Sequence, residues 1–181
     1  MWPFPTIDRA NLNSSYFTNR QDRYLRFRSH PEFAQYCRDF LHQSSTFSYR
    51  LLPSSSQSSA PYNLHWPDPY THPHHLEPKA KRALTELQSA WIEKSRARPP
   101  LSGTEVLLFP VIQAGQFGIR EEEQAVGLIF DRLAKHQTNN ASTSPTVDLT
   151  SGYFGLSKLY QSFVLQSGVH TQLLCASPRV C

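Results

Sequence analysis

The chain of 181 residues is long enough for one α/β domain, or for one half of a larger pseudo-symmetric domain. Hydrophobic residues make up 39% of it, which allows a packed core, whereas 14 prolines and a mean hydropathy of −0.49 indicate that part of the chain lies outside that core. The net charge of +4 suits an anionic ligand, a membrane surface or merely a solvated basic face, and no stretch approaches the ~20 apolar residues of a membrane span.

The N-terminal part predicts a strand, a helix and a second strand. Apolar and basic residues alternate over residues 24–28, which indicates a half-exposed strand. The sequence Ser29-His30-Pro31-Glu32 has the form of a capping box, with Ser29 as the N-cap of the helix that follows. A period near 3.6 predicts the buried face of that helix, and alternation after it predicts the next strand. The helix face comprises Phe33, Tyr36, Cys37, Phe40 and Leu41, and the apolar strand positions are Phe47, Tyr49 and Leu51.

The middle of the chain predicts a loop and a long helix. Residues 53–78 are rich in Ser, Pro and His and lack an apolar period, so they are expected to form a partly disordered loop. The loop contains His72, His74 and His75, which suit either a metal site or a chance cluster; the absence of a second ligand cluster favours chance. Residues 79–98 predict a helix that ends at Pro99-Pro100. Its shared face comprises Ala83, Leu84, Leu87 and Trp91.

The last part alternates strands and helices, which indicates the α/β class with a mixed or mainly parallel sheet. A nearly continuous apolar run over residues 106–112 predicts a strand buried on both faces. The elements that follow are a helix over about 120–137 with an acidic start, a polar linker over 138–146, a strand over 146–150, a helix stopped by Gly168, and a strand over 169–176. The predicted buried face of the first helix comprises Val126, Ile129, Phe130 and Leu133. The second helix is predicted to be amphipathic, with Leu156, Leu159, Tyr160, Phe163 and Val164 as its apolar positions.

Common signatures of enzyme sites are absent from the sequence. It has no nucleophile elbow, P-loop or Gly-rich dinucleotide turn, and Cys37, Cys175 and Cys181 lack metal-ligand spacing. The densest polar stretch is residues 11–24, with two arginines, one aspartate and several amides before a predicted strand. It suits either a polar turn with a local Arg–Asp pair or a phosphate-facing loop, because Arg forks match phosphate oxygens. Composition alone favours the polar turn.

Residues 10–24, Ala-Asn-Leu-Asn-Ser-Ser-Tyr-Phe-Thr-Asn-Arg-Gln-Asp-Arg-Tyr, closely resemble a segment of the phosphatidylglycerophosphate synthases. These are CDP-diacylglycerol–glycerol-3-phosphate 3-phosphatidyltransferases of the phospholipase D superfamily, and the segment follows their first catalytic motif. Residues 47–56 with His65-Trp66-Pro67 resemble the filamentous-fungal branch. Residues 108–113 resemble the strand that opens the second half, and residues 151–156 with 176–178 resemble the loop and strand that follow. The resemblance therefore runs from Ala10 to Pro178.

The resemblance implies a phospholipase D-like mixed sheet flanked by helices and incomplete at both ends. It implies that residues 1–52 are the tail of the first half, 53–103 a linker plus a helix, and 104–181 the start of the second half. In this family one His attacks the phosphorus of CDP-diacylglycerol, and another protonates the leaving CMP and then deprotonates the glycerol-3-phosphate hydroxyl. Two lysines neutralise the developing charge. The resemblance implies no cofactor, no metal and no nucleic acid, but a peripheral contact with a mitochondrial membrane.

Both His-x-Lys-x4-Asp motifs of the family are absent from the chain, since none of its eight histidines has Lys two residues on. By the resemblance, Asn11 aligns with the terminal Asn of the first motif, and Asp22 aligns with an acidic residue that supports a catalytic His. The family glycine before Ala10 is replaced by Arg9. The residues that the resemblance implies to be supporting or phosphate-facing are Asn11, Asn19, Arg20, Gln21, Asp22 and Arg23.

Three functional hypotheses follow: a synthase truncated at both ends, a non-catalytic relic or interaction protein that binds anionic lipid or a full-length synthase, and another phospholipase D branch. Residues 16–24 argue against the third, which would be a cardiolipin synthase or a nuclease. Residues 1–5 lack the pattern of a signal or transit peptide, so the chain is expected to stay in the cytosol or to lack its true N-terminus. Half-sheets with exposed apolar edges predict marginal stability and a tendency to associate.

Overall fold

The computed structural model describes residues 6–7, 14–18, 25–54, 60–97, 103, 107–139, 145–151 and 155–175. Helices alternate with short strands, which confirms the α/β class. Among the described residues the strands form four two-stranded pairs, three antiparallel and one parallel, so the pairing is mixed rather than mainly parallel. The chain divides into two compact units, residues 1–105 and 106–181.

The first unit is centred on two helices. Its elements are β1 Thr6–Ile7, α1 Ser14–Thr18, β2 Leu25–Arg26, α2 Pro31–Ser45, β3 Arg50–Pro53, β4 Tyr62–His65, a 3-10 turn Pro73–His75, and α3 Glu77–Arg96. Helices α2 and α3 pack against each other, and the core between them contains Phe33, Tyr36, Ala80, Ala83 and Leu84. Both predicted helices are thereby confirmed. Leu41, which the period places on the same face as Phe33 and Tyr36, is nevertheless 66% exposed.

The predicted capping box at the start of α2 is wrong. The N-cap is His30, with no side-chain hydrogen bond, and the helix begins at Pro31. Proline favours the first helical position because its φ is already helical and its missing N–H would have had no partner there. Ser29 lies one residue before the cap with a φ of 56°, so its hydroxyl is not at the capping position.

Part of the loop predicted over residues 53–78 belongs to a β-hairpin. Strands β3 and β4 pair antiparallel, with Leu51 opposite Leu64 and Pro53 opposite Tyr62. The strand predicted from Phe47 begins later, at Arg50, because the chain first makes a turn that buries Phe47 after α2. The Ser-rich part of the loop, residues 55–59, lies outside the described residues, as does Pro99-Pro100.

The second unit holds a β-α-β arrangement. Its elements are β5 Gln113–Ala114, a 3-10 turn Gly115–Phe117, β6 Ile119–Arg120, α4 Glu121–Asn139, β7 Thr146–Ser151, α5 Lys158–Gln166 and β8 His170–Cys175. Strands β7 and β8 pair in parallel from Thr146 opposite His170 to Ser151 opposite Cys175, which requires the crossover that α5 supplies. Gly168, with a φ of 74°, ends the turn after α5. The helices and strands predicted from residue 120 onwards are confirmed.

The strand predicted over residues 106–112 is wrong for the described residues 107–112. They form no strand, and Phe109 is 77% exposed, whereas Ile112 is buried. Pro110 explains part of the difference, because proline removes a ladder donor and is confined to sheet edges. The apolar run therefore lies on the surface of its unit, and the strand pairing starts only at Gln113.

Helices α4 and α5 pack against each other in the second unit. The rings of Phe130 and Phe163 lie 6.2 Å apart, and Phe130 is buried. Ile129 was expected on the same buried face but is exposed. No helix in the described part of the chain combines the length and the apolar character needed to cross a bilayer.

Candidate functional site

A short strand pair bounds the segment that carries all the predicted site residues. Thr6 pairs with Arg26 and Ile7 with Leu25, so the chain between β1 and β2 starts and ends at this pair. Helix α1 lies within that stretch. The six predicted site residues fall in the same stretch but outside the described residues, and their roles stay predictions. They are Asn11, Asn19, Arg20, Gln21, Asp22 and Arg23.

A row of aromatic rings anchors the chain where it leaves this stretch. Phe27 follows β2 and packs edge-on against Phe33 of α2, with 4.7 Å between the ring centroids. The row continues through Tyr36 to Trp91 of α3, whose centroids lie 5.7 Å apart. The Tyr36 hydroxyl donates a 3.0 Å hydrogen bond to Oε1 of Gln88, a buried amide. The chain that follows β2 is thus fixed to the helical core of the first unit.

A charged pair organises the turn between β4 and α3. Asp68 is 9% exposed at its side chain, and its Oδ2 lies 2.6 Å from Nζ of Lys79. The Tyr70 and Thr71 amides donate to its Oδ1 at 2.9 and 3.3 Å. The hydrogen bond from Lys79, together with those from residues 70 and 71, holds the pKa of Asp68 well below its usual range. The carboxylate is therefore charged at neutral pH and fixes the turn, and the sequence offered no signal for this pairing.

The histidine cluster lies on the same turn. The rings of His72 and His74 are 5.1 Å apart, and the His74 amide donates to Nδ1 of His72 at 3.3 Å. His75 lies 6.0 Å from His72. Among the described residues no group of three His, Cys, Asp or Glu side chains is placed to hold a metal ion. The cluster forms the short 3-10 turn before α3 instead.

Two other groups in the described ranges have shifted pKa values. Burial raises the pKa of the Cys37 thiol, against the opposing charge of Arg38, so little reactive thiolate exists at neutral pH. Burial also raises the pKa of Tyr160, and the carboxylates of Glu122 and Glu123 add to the effect. The raised pKa keeps the Tyr160 hydroxyl protonated at neutral pH, so the shifts activate neither group as a nucleophile.

An open groove runs between α4 and α5 in the second unit. Its one guanidinium, on Arg120, is engaged by Glu123 at 2.8 Å, and Glu123 also accepts from the Gln113 amide at 2.9 Å. The groove is lined by Arg120, Glu123, Gln124, Gly127, Leu128, Leu159 and Phe163. These side chains can position a mostly apolar group, but they offer no acid–base pair for chemistry.

Comparison with known proteins finds relatives of this chain that share one name. It is 27% identical to the mitochondrial CDP-diacylglycerol–glycerol-3-phosphate 3-phosphatidyltransferase of Bos taurus over 195 residues, which cover 96% of this chain and 33% of the relative. The enzyme of that name from Saccharomyces cerevisiae is 27% identical over 180 residues, covering 95% of this chain and 33% of the relative. The mitochondrial enzyme of Homo sapiens is 26% identical over 96% of this chain. The resemblance to this synthase is confirmed.

The chain spans about a third of the length of these curated relatives. No protein-family model matches it, and no solved structure matches it. The relatives are named as phosphatidyltransferases, which are enzymes, and several of them are named mitochondrial.

Proposed function

We propose that this chain is part of a CDP-diacylglycerol–glycerol-3-phosphate 3-phosphatidyltransferase, the enzyme that makes phosphatidylglycerophosphate on the way to phosphatidylglycerol and cardiolipin. The observation that supports the proposal is the similarity over nearly the whole chain to relatives from cow, yeast and human that share this one name. The polar stretch of residues 11–24 adds a chemical reason, because its arginines suit a phosphate ligand. A general α/β hydrolytic function would not require such a stretch.

The roles proposed for individual residues divide into phosphate contacts and support. Arg20 and Arg23 hold phosphate oxygens of CDP-diacylglycerol or glycerol-3-phosphate through their guanidinium forks, and Asn19 and Gln21 add directional hydrogen bonds. Asp22 orients a catalytic imidazole that belongs to a His-x-Lys motif absent from this chain. Asn11 supports the same motif. The reaction forms a bond between the imidazole nitrogen and phosphorus and breaks the bond to CMP; the glycerol-3-phosphate oxygen then displaces the imidazole.

The surroundings proposed for the chain follow from the same assignment. Residues 1–52 belong to the first half of a phospholipase D-like protein, and residues 104–181 to the second half, with a linker and α3 between them. A lipid substrate requires peripheral contact with a membrane, and the names of several relatives suggest a mitochondrial one. No cofactor, metal or nucleic acid takes part in the proposed reaction.

A chimera tests the proposal directly. The third of the Saccharomyces cerevisiae relative that matches this chain is replaced by the chain, so that the yeast sequence supplies whatever motifs lie outside it. Membranes from a yeast strain that lacks its own synthase but expresses the chimera are supplied with CDP-diacylglycerol and radiolabelled glycerol-3-phosphate. We expect labelled phosphatidylglycerophosphate. The Arg23→Gln chimera should make about a hundredfold less, because a charge-stabilising donor is lost.

Arg28→Gln is the matched control for Arg23→Gln, since Arg28 is an exposed arginine five residues further on. It should leave product formation within about twofold of the parent chimera, as is usual for exposed surface substitutions. A chimera that is stably expressed in the membrane fraction but makes no product would contradict the proposal. So would equal losses from Arg23→Gln and Arg28→Gln.

A second candidate, a non-catalytic interaction protein, is favoured by one observation. None of the eight histidines has the lysine that the chemistry needs two residues on. The gene sequence on either side of this segment distinguishes the two candidates. In-frame His-x-Lys codons beside this segment, or across an intron from it, favour the synthase, whereas mutated codons there favour the interaction protein.

A further inference from the structure

One face of the β3–β4 hairpin is apolar and uncovered by the described part of the chain. Side chains alternate between the two faces of a hairpin, so Leu51 and Pro53 share a face with Tyr62 and Leu64, which lie opposite them. All four are exposed, Leu51 by 63% and Leu64 by 64%. Exposed apolar patches of this kind mark sites of interaction with another protein or with a membrane.

An aromatic pair continues this face at the base of the hairpin. Tyr49 and Trp66 come one residue beyond the last strand pair, and their ring centroids lie 5.2 Å apart. The indole Nε1 of Trp66 donates a 2.6 Å hydrogen bond to the Thr71 carbonyl, which fixes the ring at the edge of the patch. Tyrosine and tryptophan, with an apolar body and a polar tip, concentrate at the boundary between lipid and water.

The hairpin and its neighbours in sequence contain a basic residue and no carboxylate. No Asp or Glu occurs from residue 40 to residue 67, whereas Arg50 and His65 form the pair at the base of the hairpin on its other face. The next carboxylate along the chain, Asp68, is already paired with Lys79. Basic groups beside an apolar face are attracted to the negative surface of an anionic bilayer. Binding to a protein of ordinary composition would not explain why this long stretch lacks carboxylates.

We propose that the apolar face of the β3–β4 hairpin lies in the headgroup region of an anionic membrane. Leu51, Leu64 and Tyr62 enter the boundary of the acyl chains, and Tyr49 and Trp66 sit at the level of the headgroups. Arg50, on the other face of the hairpin, adds positive charge close to the lipid phosphates. The inference rests on the proposed function to the extent that a lipid substrate brings the protein to a bilayer. This face contacts a lipid surface, and it contains none of the residues assigned to the reaction.

Vesicle sedimentation tests the docking face. The 181-residue chain is mixed with sucrose-loaded vesicles of equal parts phosphatidylcholine and phosphatidylglycerol, or of phosphatidylcholine alone, with no CDP-diacylglycerol present. We expect binding to the anionic vesicles, weakened by added salt. The variant Leu51→Ser/Leu64→Ser should bind at least about tenfold more weakly, because two leucine side chains no longer enter the lipid. Circular dichroism of both proteins verifies that the exposed substitutions leave the fold unchanged.

Leu52→Ser is the matched control, because Leu52 lies in the same strand on the opposite face. It should change vesicle binding by less than about twofold. Equal losses from the two variants would overturn the proposal, and so would binding that is indifferent to lipid charge. Loss of a dimer in the Leu51→Ser/Leu64→Ser variant, with no vesicle binding by the parent chain, would assign the face to a second copy and also overturn the proposal.

Fluorescence locates the aromatic pair independently. Phosphatidylglycerol vesicles with bromine on the acyl chain near the headgroup should quench the emission of the chain, and Trp66→Phe should remove most of that quenching. Unchanged quenching in Trp66→Phe would overturn the assigned orientation. These measurements need no turnover, so the chimera can fail while vesicle docking succeeds, or the reverse, and the two proposals fail separately.

Discussion

At the scale of single residues, Asp68 is the charged group whose environment the structure alters most clearly. Its carboxylate accepts from Lys79 and from two backbone amides, which lowers its pKa below the ordinary value. A carboxyl group with a depressed pKa in the folded state stabilises the fold fully above its unfolded pKa, near pH 4, and loses that contribution as the pH falls further. Asp68→Asn should therefore lower the melting temperature at neutral pH. The difference from the parent chain should shrink as the pH falls below about 4, because the carboxyl of the unfolded chain takes up a proton there while the folded carboxylate stays charged.

The pair of Asp131 and Lys135 provides a control for that prediction. Its N–O distance of 2.7 Å matches that of the Asp68 pair, but both side chains are more than half exposed on α4. Exposed ion pairs within a helix contribute only about 0.3–0.5 kcal/mol. Asp131→Asn should thus barely change the melting temperature. Equal shifts from Asp68→Asn and Asp131→Asn, or a difference for Asp68→Asn that persists unchanged at acidic pH, would contradict the assigned role of the turn.

At the scale of elements, the contact of α4 with α5 depends on a glycine. A Cβ added at Gly127 would lie 3.1 Å from Cζ of Phe163, whose ring is held between Phe130 and Tyr160. Alanine inside a helix is favoured over glycine by about 0.8–1.0 kcal/mol, so the contact opposes the gain in helix propensity. Gly127→Ala should therefore leave the free energy of unfolding unchanged or reduce it. The same substitution in a Phe163→Leu background should raise it by about 0.5–1 kcal/mol, as measured by urea unfolding.

These measurements form a double-mutant cycle, in which Gly127→Ala is compared with and without the aromatic ring of Phe163. The Phe163→Leu background is therefore the control. A coupling energy near 1 kcal/mol between positions 127 and 163 is expected for residues in direct contact. Strictly additive effects would mean that the two helices adjust freely, and that the glycine is not needed for their approach.

The same helices show what the sequence could predict. Amphipathic periods located α2, α3, α4 and α5, because a buried stripe repeats near every 3.6 residues whichever partner covers it. The period did not predict which positions of a stripe are covered, and Leu41 and Ile129 are exposed. A continuous apolar run carries no period at all, which is why residues 107–112 resembled a buried strand although they form none.

The hairpin and the candidate site are features that the sequence pattern could not predict. Strand β4 has only four residues and lies among Ser, Pro and His. The alternation of Tyr62 and Leu64, continued by Trp66, is therefore too short to predict a strand. Asp68 and Lys79 meet across a turn, and such pairing depends on geometry that spacing alone does not encode. The six residues of the candidate site were identified only through resemblance, because one aspartate and two arginines in a polar stretch also suit an ordinary turn.

At the scale of the whole molecule, large apolar side chains remain exposed in both units. Leu107 and Phe109 lie on the run before β5, Leu165 lies at the end of α5 and Leu174 lies in β8. Such surfaces are expected of a chain that spans about a third of its relatives, if it belongs to a longer protein that covers them. The hairpin face is distinguished from these surfaces by its aromatic base and its basic surroundings, not by exposure alone.

These surfaces predict that the chain on its own associates in solution. Sedimentation velocity over a range of concentrations should show growth beyond the monomer, and the chain should bind an apolar dye such as anilinonaphthalene sulfonate more strongly than a compact domain does. Leu107→Ser/Phe109→Ser should reduce the association, since adjacent exposed side chains form a patch. Leu41→Ser should not, because Leu41 is a single exposed leucine on a helix whose other face is packed. A monomer at every concentration, with a sharp unfolding transition at high temperature, would mean that 181 residues suffice for a closed core, and the proposed place of this chain within a larger phosphatidyltransferase would lose its structural support.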